Sequence, residues 1–292
     1  MKIARQKPKI SVVIPTYNPG HLIEKCLASI PPEQTEVIIV DNKSRDGSVI
    51  QSQIIHKDIR FIFLSKNTGF AHACNQGAKI AEGDYILFLN QDSQLLKDGF
   101  YEVLSFMEKT RMCAAASGKI LYPDGRIQEN LRRFPNYTSL LFGRRAILTM
   151  LFPNNPFSRY FLCTDTDMEK TQQVDICTGM FLLVKRDVFN DIGMFDEGFF
   201  FYVEDFDLCK RIKDAGWEVW YIPKPASIHH LGENIRRIDR TYVKMHHFKG
   251  IYRYLVKHKK PGLILRALLT VFTALLISMH LSTKKFTGLL LP

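Results

Sequence analysis

The hydrophobic pattern of the first ninety residues repeats. Short runs of consecutive apolar residues alternate with stretches of helical spacing. "ISVVIP" (10–15), "EVIIVD" (36–41), "RFIFLS" (60–65) and "YILFLN" (85–90) are apolar almost throughout, rather than at every second position. Between them, residues 21–29 put Leu22, Ile23, Cys26 and Leu27 on one helical face, and "GFAHACNQGAKIA" (69–81) reads as another helix. Strands that are apolar on both sides need cover on both sides. The pattern therefore predicts an α/β fold with a mostly parallel central sheet flanked by helices. In such sheets ligands gather beyond the carboxyl ends of the strands. Those ends carry Thr16, Asp41, Asn67 and Asp92, so four consecutive strands deliver a polar residue to one edge.

The pattern weakens over 122–173, which holds Pro, Asn and Arg residues without clear strand spacing. A long irregular insertion in a compact domain is usually functional or mobile. Regular structure resumes with "VDICTGMFLLVKRDVF" (174–189). Further on, Glu204 to Ala215 has helical spacing at Leu208, Cys209, Ile212 and Ala215, Gly216 is a natural stop, and "WEVWYI" is the next strand. The most apolar stretch, "GLILRALLTVFTALLISMHL" (262–281), lies between "KHKK" and Lys284–Lys285. It is near the length of a bilayer-spanning helix. A spanning helix, a helix lying in the membrane interface and a buried packing helix all fit it, and the flanking basicity favours the interface.

Charge sharpens this division. The chain of 292 residues has a formal charge of +11, and the segment after residue 230, with twelve Lys or Arg against Glu233 and Asp239, supplies +10 of it. The main body is close to neutral, so bulk nucleic-acid binding is not suggested. A basic tail beside apolar residues suits an anionic membrane surface; the plain alternative is a solvated basic face. The six cysteines are scattered without metal-type pairs, and "MKIARQKPKISVVIP" has no apolar run of signal-peptide length. A reducing cytoplasm is expected, with the chain peripheral to, or C-terminally anchored at, the inner face of the cell membrane.

Candidate chemistry sits at the strand ends. Asp92, between Asn90 and Ser93, suits a hard cation with oxygen ligands, and such a cation could stabilise a departing diphosphate. The competing reading makes Asp92 or Ser93 a helix N-cap. Asp41 opens a turn-forming stretch, "DNKSRDGS", or accepts the imide N–H of a uracil or thymine ring. In "EDFDL" (204–208), helix capping accounts for one or two of the acids. A carboxylate beside Phe199, Phe200, Phe201, Tyr202 and Phe206 is partly desolvated, which makes it a better base. "HHLGEN" (229–234) offers imidazoles for a metal site or for structure. No GxGxxG or GxxxxGK[ST] occurs, which counts against NAD-dependent oxidoreduction and P-loop phosphoryl transfer.

In order and spacing, "SVVIPTYN" (11–18), "VIIVDNKSRDGS" (37–48), "NTGFAHACNQG" (67–77), "LNQDS" (89–93), "CTGMFLLVKRDVF" (177–189), "FDEGFFFYVEDFDLCKRIKDAGW" (195–217) and "HHLGEN" (229–234) resemble a family 2 glycosyltransferase of GT-A fold, in its rhamnosyltransferase-like branch. The resemblance implies a catalytic domain over 1–230, with a nucleotide-binding half at about 10–93 and an acceptor and catalytic half at about 94–230, and a basic helical extension over 231–292. It implies that Thr16, Tyr17 and Asp41 hold the nucleotide, that Asn67, Asn75, Asn90, Gln91 and Gly179 line the donor site, and that Asp92 and His230 hold Mn²⁺ or Mg²⁺. Asp205 would be the general base and Glu204 would orient the acceptor. Asn90 stands where the family has the first acid of its metal-binding motif. No QxxRW motif of processive synthases occurs, which implies transfer of one or few sugars. The implied reaction is inverting, metal-dependent transfer of a sugar, rhamnose from dTDP-rhamnose first and a UDP-sugar next, to a hydroxyl of a cell-surface glycan or lipid-linked oligosaccharide. A polyprenyl-phosphate glycosyltransferase and a non-catalytic membrane scaffold of the same fold are the alternatives.

Overall fold

A computed structural model describes residues 9–143, 147–152, 154–230 and 240–287. The opening residues 1–8, on which the signal-peptide expectation partly rests, and the Leu231–Asn234 part of "HHLGEN" lie outside them. The first half alternates as its pattern demands: β1 (Ile10–Thr16), α1 (Leu22–Ala28), β2 (Thr35–Asp41), α2 (Ser48–Ile55), β3 (Arg60–Phe63), α3 (Phe70–Ile80) and β4 (Tyr85–Leu89). A short β5 (Ser93–Leu95), α4 (Lys97–Lys109) and β6 (Cys113–Leu121) follow. The irregular middle forms small pieces: β7 (Ile127–Gln128), β8 (Leu131–Arg132), α5 (Ser139–Phe142), α6 (Ile147–Leu151), α7 (Pro156–Leu162), β9 (Gln172–Gln173) and β10 (Ile176–Cys177). The chain closes with β11 (Phe181–Lys185), α8 (Arg186–Asp191), α9 (Glu204–Asp214), β12 (Glu218–His229), α10 (Arg240–Lys259) and α11 (Leu263–Thr287).

The main sheet runs β3-β2-β1-β4-β11-β6-β12-β5. Its first four strands are parallel, as are β6 and β12. β11 lies antiparallel between β4 and β6, and β5 antiparallel to β12. Parity explains the unbroken apolar runs. Val13, Ile38, Val40, Ile86 and Phe88 enter one core, whereas Val12, Ile14, Ile39, Leu87 and Leu89 enter a second core on the opposite face.

This topology sets the functional edge. The carboxyl ends of β1, β2, β4 and β12 point the same way, and the antiparallel β11 begins where they end. β12 persists for twelve residues despite Pro223 and Pro225, and its register with β6 shifts around Pro225. Proline removes a ladder donor and is accommodated at such irregularities.

The C-terminal extension is not detached. Phe248, Ile251, Tyr254 and Leu255 of α10 are buried in the same core as Leu208, Cys209 and Ile212 of α9, and Leu269 and Leu276 of α11 join them. Among the described residues, no helix is long and apolar enough to cross a membrane. That removes the spanning reading of 262–281 for the described residues. All six cysteines are buried, free thiols.

Candidate active site

Two loops meet at the ends of β1 and β2. Thr16 is buried, and its hydroxyl donates to Asp41 Oδ1 at 3.2 Å. The Ser44 N–H donates to Asp41 Oδ2 at 3.0 Å, and the Ser44 hydroxyl also donates to this carboxylate. Asp41 therefore shapes the turn, as its Asx chemistry allows, while standing at the sheet edge. Asn18 N–H donates to Ser44 Oγ (2.8 Å), and Arg45 N–H to Asn18 Oδ1 (2.7 Å), lacing the β2 turn to the β1 loop. The Tyr17 side chain is exposed above this turn. Gln91 grips the Tyr17 backbone from both sides: it accepts from its N–H at 2.7 Å and donates to its carbonyl at 3.2 Å. Its amide is thus committed to the loop.

Asn67 and Asn75 also have local duties. Asn67 is exposed and accepts the Gly69 N–H at 3.0 Å. Asn75, buried in α3, accepts the Phe195 N–H (3.0 Å) and donates to the Phe195 carbonyl (2.9 Å) and to Glu197 (2.9 Å). It fastens the 195–200 segment rather than presenting a free amide. Gly69 completes that joint. Its φ of +91° suits glycine, and a Cβ there would lie 2.2 Å from the Phe200 carbonyl oxygen, whose bond from Phe70 N–H (2.8 Å) closes the contact.

The turn after β4 meets the end of β12. Ser93 lies in β5, and α4 starts only at Lys97 with Leu96 at its N-cap, so neither Asp92 nor Ser93 caps it. Asp92 is buried, and its Oδ1 lies 3.1 Å from His229 Nε2. Asn90 Nδ2 lies 3.2 Å from the same nitrogen. On its far side His229 Nδ1 is 3.1 Å from Gln128 Oε1, an acceptor, which assigns the ring proton to Nδ1. Nε2 then carries the one free ring lone pair, which accepts from the Asn90 amide and which a cation against the Asp92 oxygen would claim in place of that bond. Two lone pairs so placed repel unless a proton or a metal cation lies against both. Mg²⁺-type cations commonly use one or two protein carboxylates and complete their shell with water and substrate phosphates, so this pair fits such an ion. Among the described residues, no three His, Cys, Asp or Glu side chains gather as a complete metal site. His230, the histidine preferred from the sequence, turns away from Asp92: its Nε2 pairs with Gln94 Oε1 at 2.8 Å, and only its backbone N–H reaches the Asp92 carbonyl.

The acidic start of α9 forms the other half. Tyr202 and Val203 precede it at φ of +71° and +74°, a left-handed conformation that a β-branched residue rarely adopts. α10 holds this bend: a Cβ on Gly250 would meet Val203 Cγ2 at 2.8 Å. Asp205 is buried and accepts N–H bonds from Gly179 (2.8 Å) and Phe206 (3.0 Å). Burial pushes its carboxyl up to about 6, against those N–H groups and the positive charge of buried Arg132. Burial, and then the charge of Asp205, push Glu204 well above the ordinary range. Glu204 Oε2 is buried and has no hydrogen-bond partner. This environment favours a neutral acid at Glu204 beside a carboxylate at Asp205 that is poised to take a proton.

The third acid has a different task. Asp207 is fully buried and faces Arg211 Nε (2.8 Å), Lys257 Nζ (2.7 Å) and His258 Nε2 (2.7 Å). Burial raises its carboxyl, but these cationic and donor groups outweigh burial and hold it below the usual range. It bolts α10 to α9. Asp207→Asn is expected to lower unfolding stability by about 3 kcal/mol, because partly buried Arg211 and Lys257 lose the counter-charge of a fully buried carboxylate. A shift of the denaturant midpoint measures this. With a depressed native pKa, the wild-type contribution is present above the ordinary carboxylate range and disappears as pH falls through the native value.

Two consecutive residues join the halves. Gly179 N–H holds Asp205, and the Met180 carbonyl accepts the Asn90 N–H at 3.3 Å. The acid pair and the Asn90–Asp92 turn thus share one short connector. Sequence reasoning missed Arg132, Gln128 and Asn42, which orders the loop before α3 by accepting from the Thr68 N–H (3.1 Å) and hydroxyl (3.2 Å). No sequence signal separates Arg132 from Arg133, and Gln128 acts only through its distant partner.

Comparison with known proteins gives the family and the fold. Residues 11–193 match the family model for glycosyl transferase family 2. The chain is 28% identical over 261 residues to N-acetylglucosaminyl-diphospho-decaprenol L-rhamnosyltransferase of Mycobacterium tuberculosis, covering 84% of this chain and 83% of that one. It is 27% identical over 264 residues to rhamnosyltransferase WbbL of Escherichia coli, covering 86% and 94%. Among solved structures, it resembles GalNAc-T7 with UDP, GalNAc and Mn²⁺ (TM-score 0.62, 16% identity, 86% of this chain and 48% of that one). It also resembles the mannosyltransferase PcManGT of Pyrobaculum calidifontis with GDP-Man and Mn²⁺ (TM-score 0.57, 17% identity, 96% and 73%). The fold is GT-A, and the chain belongs to glycosyl transferase family 2 as a glycosyltransferase with rhamnosyltransferase relatives.

Proposed function

We propose that the protein transfers rhamnose, with inversion, from dTDP-rhamnose to a sugar hydroxyl of a lipid-linked glycan precursor, working at the inner face of the cell membrane. The observation that carries this reading is the Gly179–Met180 connector, which joins a buried carboxylate raised to about 6 to the turn bearing Asp92. Asp205 takes the proton of the acceptor hydroxyl as its oxygen forms the bond to the anomeric carbon. The bond from that carbon to the diphosphate oxygen breaks, and dTDP leaves. Glu204 donates a hydrogen bond that orients the acceptor. Tyr17, Thr16 and Asp41 hold the nucleoside. Asp92 and His229 would hold Mn²⁺ or Mg²⁺, which supplies positive charge for the leaving diphosphate when bound. The names of the two rhamnosyltransferase relatives support the sugar, and that of the mycobacterial one the lipid-linked acceptor.

A screen of purified protein against dTDP-rhamnose, UDP-sugars and GDP-mannose, with N-acetylglucosaminyl-diphosphoryl-prenol and with polyprenyl phosphate as acceptors, tests it. The expected result is Mn²⁺- or Mg²⁺-dependent transfer from dTDP-rhamnose to the sugar hydroxyl, abolished by chelation. Turnover of a UDP-sugar alone would replace the donor, transfer to the bare lipid phosphate would replace the acceptor, and binding of no nucleotide diphosphate would leave a non-catalytic scaffold.

A further inference from the structure

An open cavity of about 600 Å³ lies between α10, the start of α11 and the 196–202 segment. Lys249, Arg253, Lys257 and Arg266 line it, with Asp196 as the one carboxylate among the described residues. Asp196 is already taken: Arg253 lies 2.9 Å and Lys257 2.8 Å from it. Burial raises the Asp196 carboxyl, but Lys257, the Gly198 N–H and Arg253 hold it down at about 2. Lys257 also faces Asp207. Lys249 and Arg266 are exposed, and neither pairs with an acid among the described residues. The cavity therefore has a surplus of positive charge and guanidinium groups suited to phosphate.

Its neighbourhood says what kind of phosphate. Exposed Lys259 and Lys260 precede the first turn of α11, where Leu263 and Ile264 are 87% and 81% exposed. Ile264, Leu268, Val271 and Leu275 continue as one exposed stripe at helical spacing, while Leu269, Thr273 and Leu276 bury the opposite face. A helix with one packed face, one open apolar face and cations at its start has the composition of an interfacial element.

We propose that this cavity binds the phosphate of an anionic phospholipid headgroup while the open stripe of α11 lies in the membrane interface. The inference deepens the membrane-surface part of the proposed function and rests on it. The cavity shares Phe199, Phe200 and Tyr202 with the bend that leads into Glu204 and Asp205. A docked headgroup thus sets the catalytic helix at a fixed distance from the membrane surface.

Sedimentation of the full chain with phosphatidylglycerol-containing vesicles and with pure phosphatidylcholine vesicles tests it without any sugar donor. Wild type is expected to bind the first and not the second. Lys249→Gln/Arg266→Gln is expected to weaken binding about 25-fold, at about fivefold for each basic residue near an anionic surface. Leu268→Asp/Val271→Asp is expected to abolish binding, with wild-type sedimentation velocity. Thermal unfolding checks both variants; should the double basic variant fail to fold, Lys249→Gln alone is expected to show the fivefold loss. If wild type binds phosphatidylglycerol vesicles and the basic variant binds equally well, the cavity proposal falls while the membrane reading stands. If wild type binds neither vesicle, both fall. The proposal is also overturned if inorganic diphosphate binds the cavity and vesicles do not compete, or if the stripe variant loses only a dimer.

Discussion

Asp205→Asn is expected to lower kcat for sugar transfer by about 10²–10⁴-fold, the usual contribution of a positioned general base, while leaving the donor KM nearly unchanged. The pH profile adds a readout that a structural role would not give. Because burial holds the Asp205 carboxyl up at about 6, wild-type kcat/KM is expected to fall as pH drops below about 6 and the base becomes protonated. The residual activity of the variant lacks that limb. Stability runs the other way. The native pKa is raised, so the favourable contribution of the protonated form is full below the unfolded carboxylate range and is lost as pH rises through about 6. The fold thus carries its charged base at neutral pH against its own stability. Near-native turnover in Asp205→Asn, or an unchanged acid limb, would sink the assignment.

The second large effect is expected at Asp92. Asp92→Asn keeps the shape of the side chain and removes its charge, and should reduce metal-dependent kcat/KM by about 10³-fold, equivalent to several kcal/mol of lost leaving-group stabilisation. Calorimetry of dTDP with and without Mn²⁺ separates this from misfolding: wild type should bind the nucleotide more tightly with the ion, and the variant should not. The two histidines provide the sharper comparison. His229→Ala should remove the Mn²⁺ enhancement and His230→Ala should keep most of it, since only the His229 ring reaches Asp92. The reverse order would refute the pairing of Asp92 with His229.

The strand alternation, the two-faced core and the polar sheet edge were legible because they depend on local periodicity, and β1, β2, β3 and β4 obey it closely. The antiparallel insertion of β11 into the middle of the sheet was not, since no local pattern records which strand a distant strand will join. The choice between His229 and His230 shows the same limit at one residue. Neighbouring residues on a strand face opposite sides, so which histidine ring faces Asp92 follows from parity only if the register is known. The shifts around Pro225 break that count between "WEVWYI" and the histidines. Gln91 and Asn75 were legible as polar residues near the site, but not as clamps on Tyr17 and Phe195, which lie 74 and 120 residues away in the chain. "EDFDL" divides for a similar reason: Asp205 and Asp207 differ in role because α10 supplies cations to one and none to the other.

The way the edge is completed has a consequence for how the chain acquires activity. β1 pairs with β2 (Ile10 with Thr35) and β2 with β3 (Ile38 with Arg60) across single βα connections, whereas β4 returns to β1 (Ile10 with Tyr85) from further along the chain. Ser93 waits for Met180, 87 residues on, and Asn90 waits for His229, 139 residues on. Contacts of such sequence separation form late. The Asn90–Asp92 turn takes its Met180 and His229 partners from the second half of the chain.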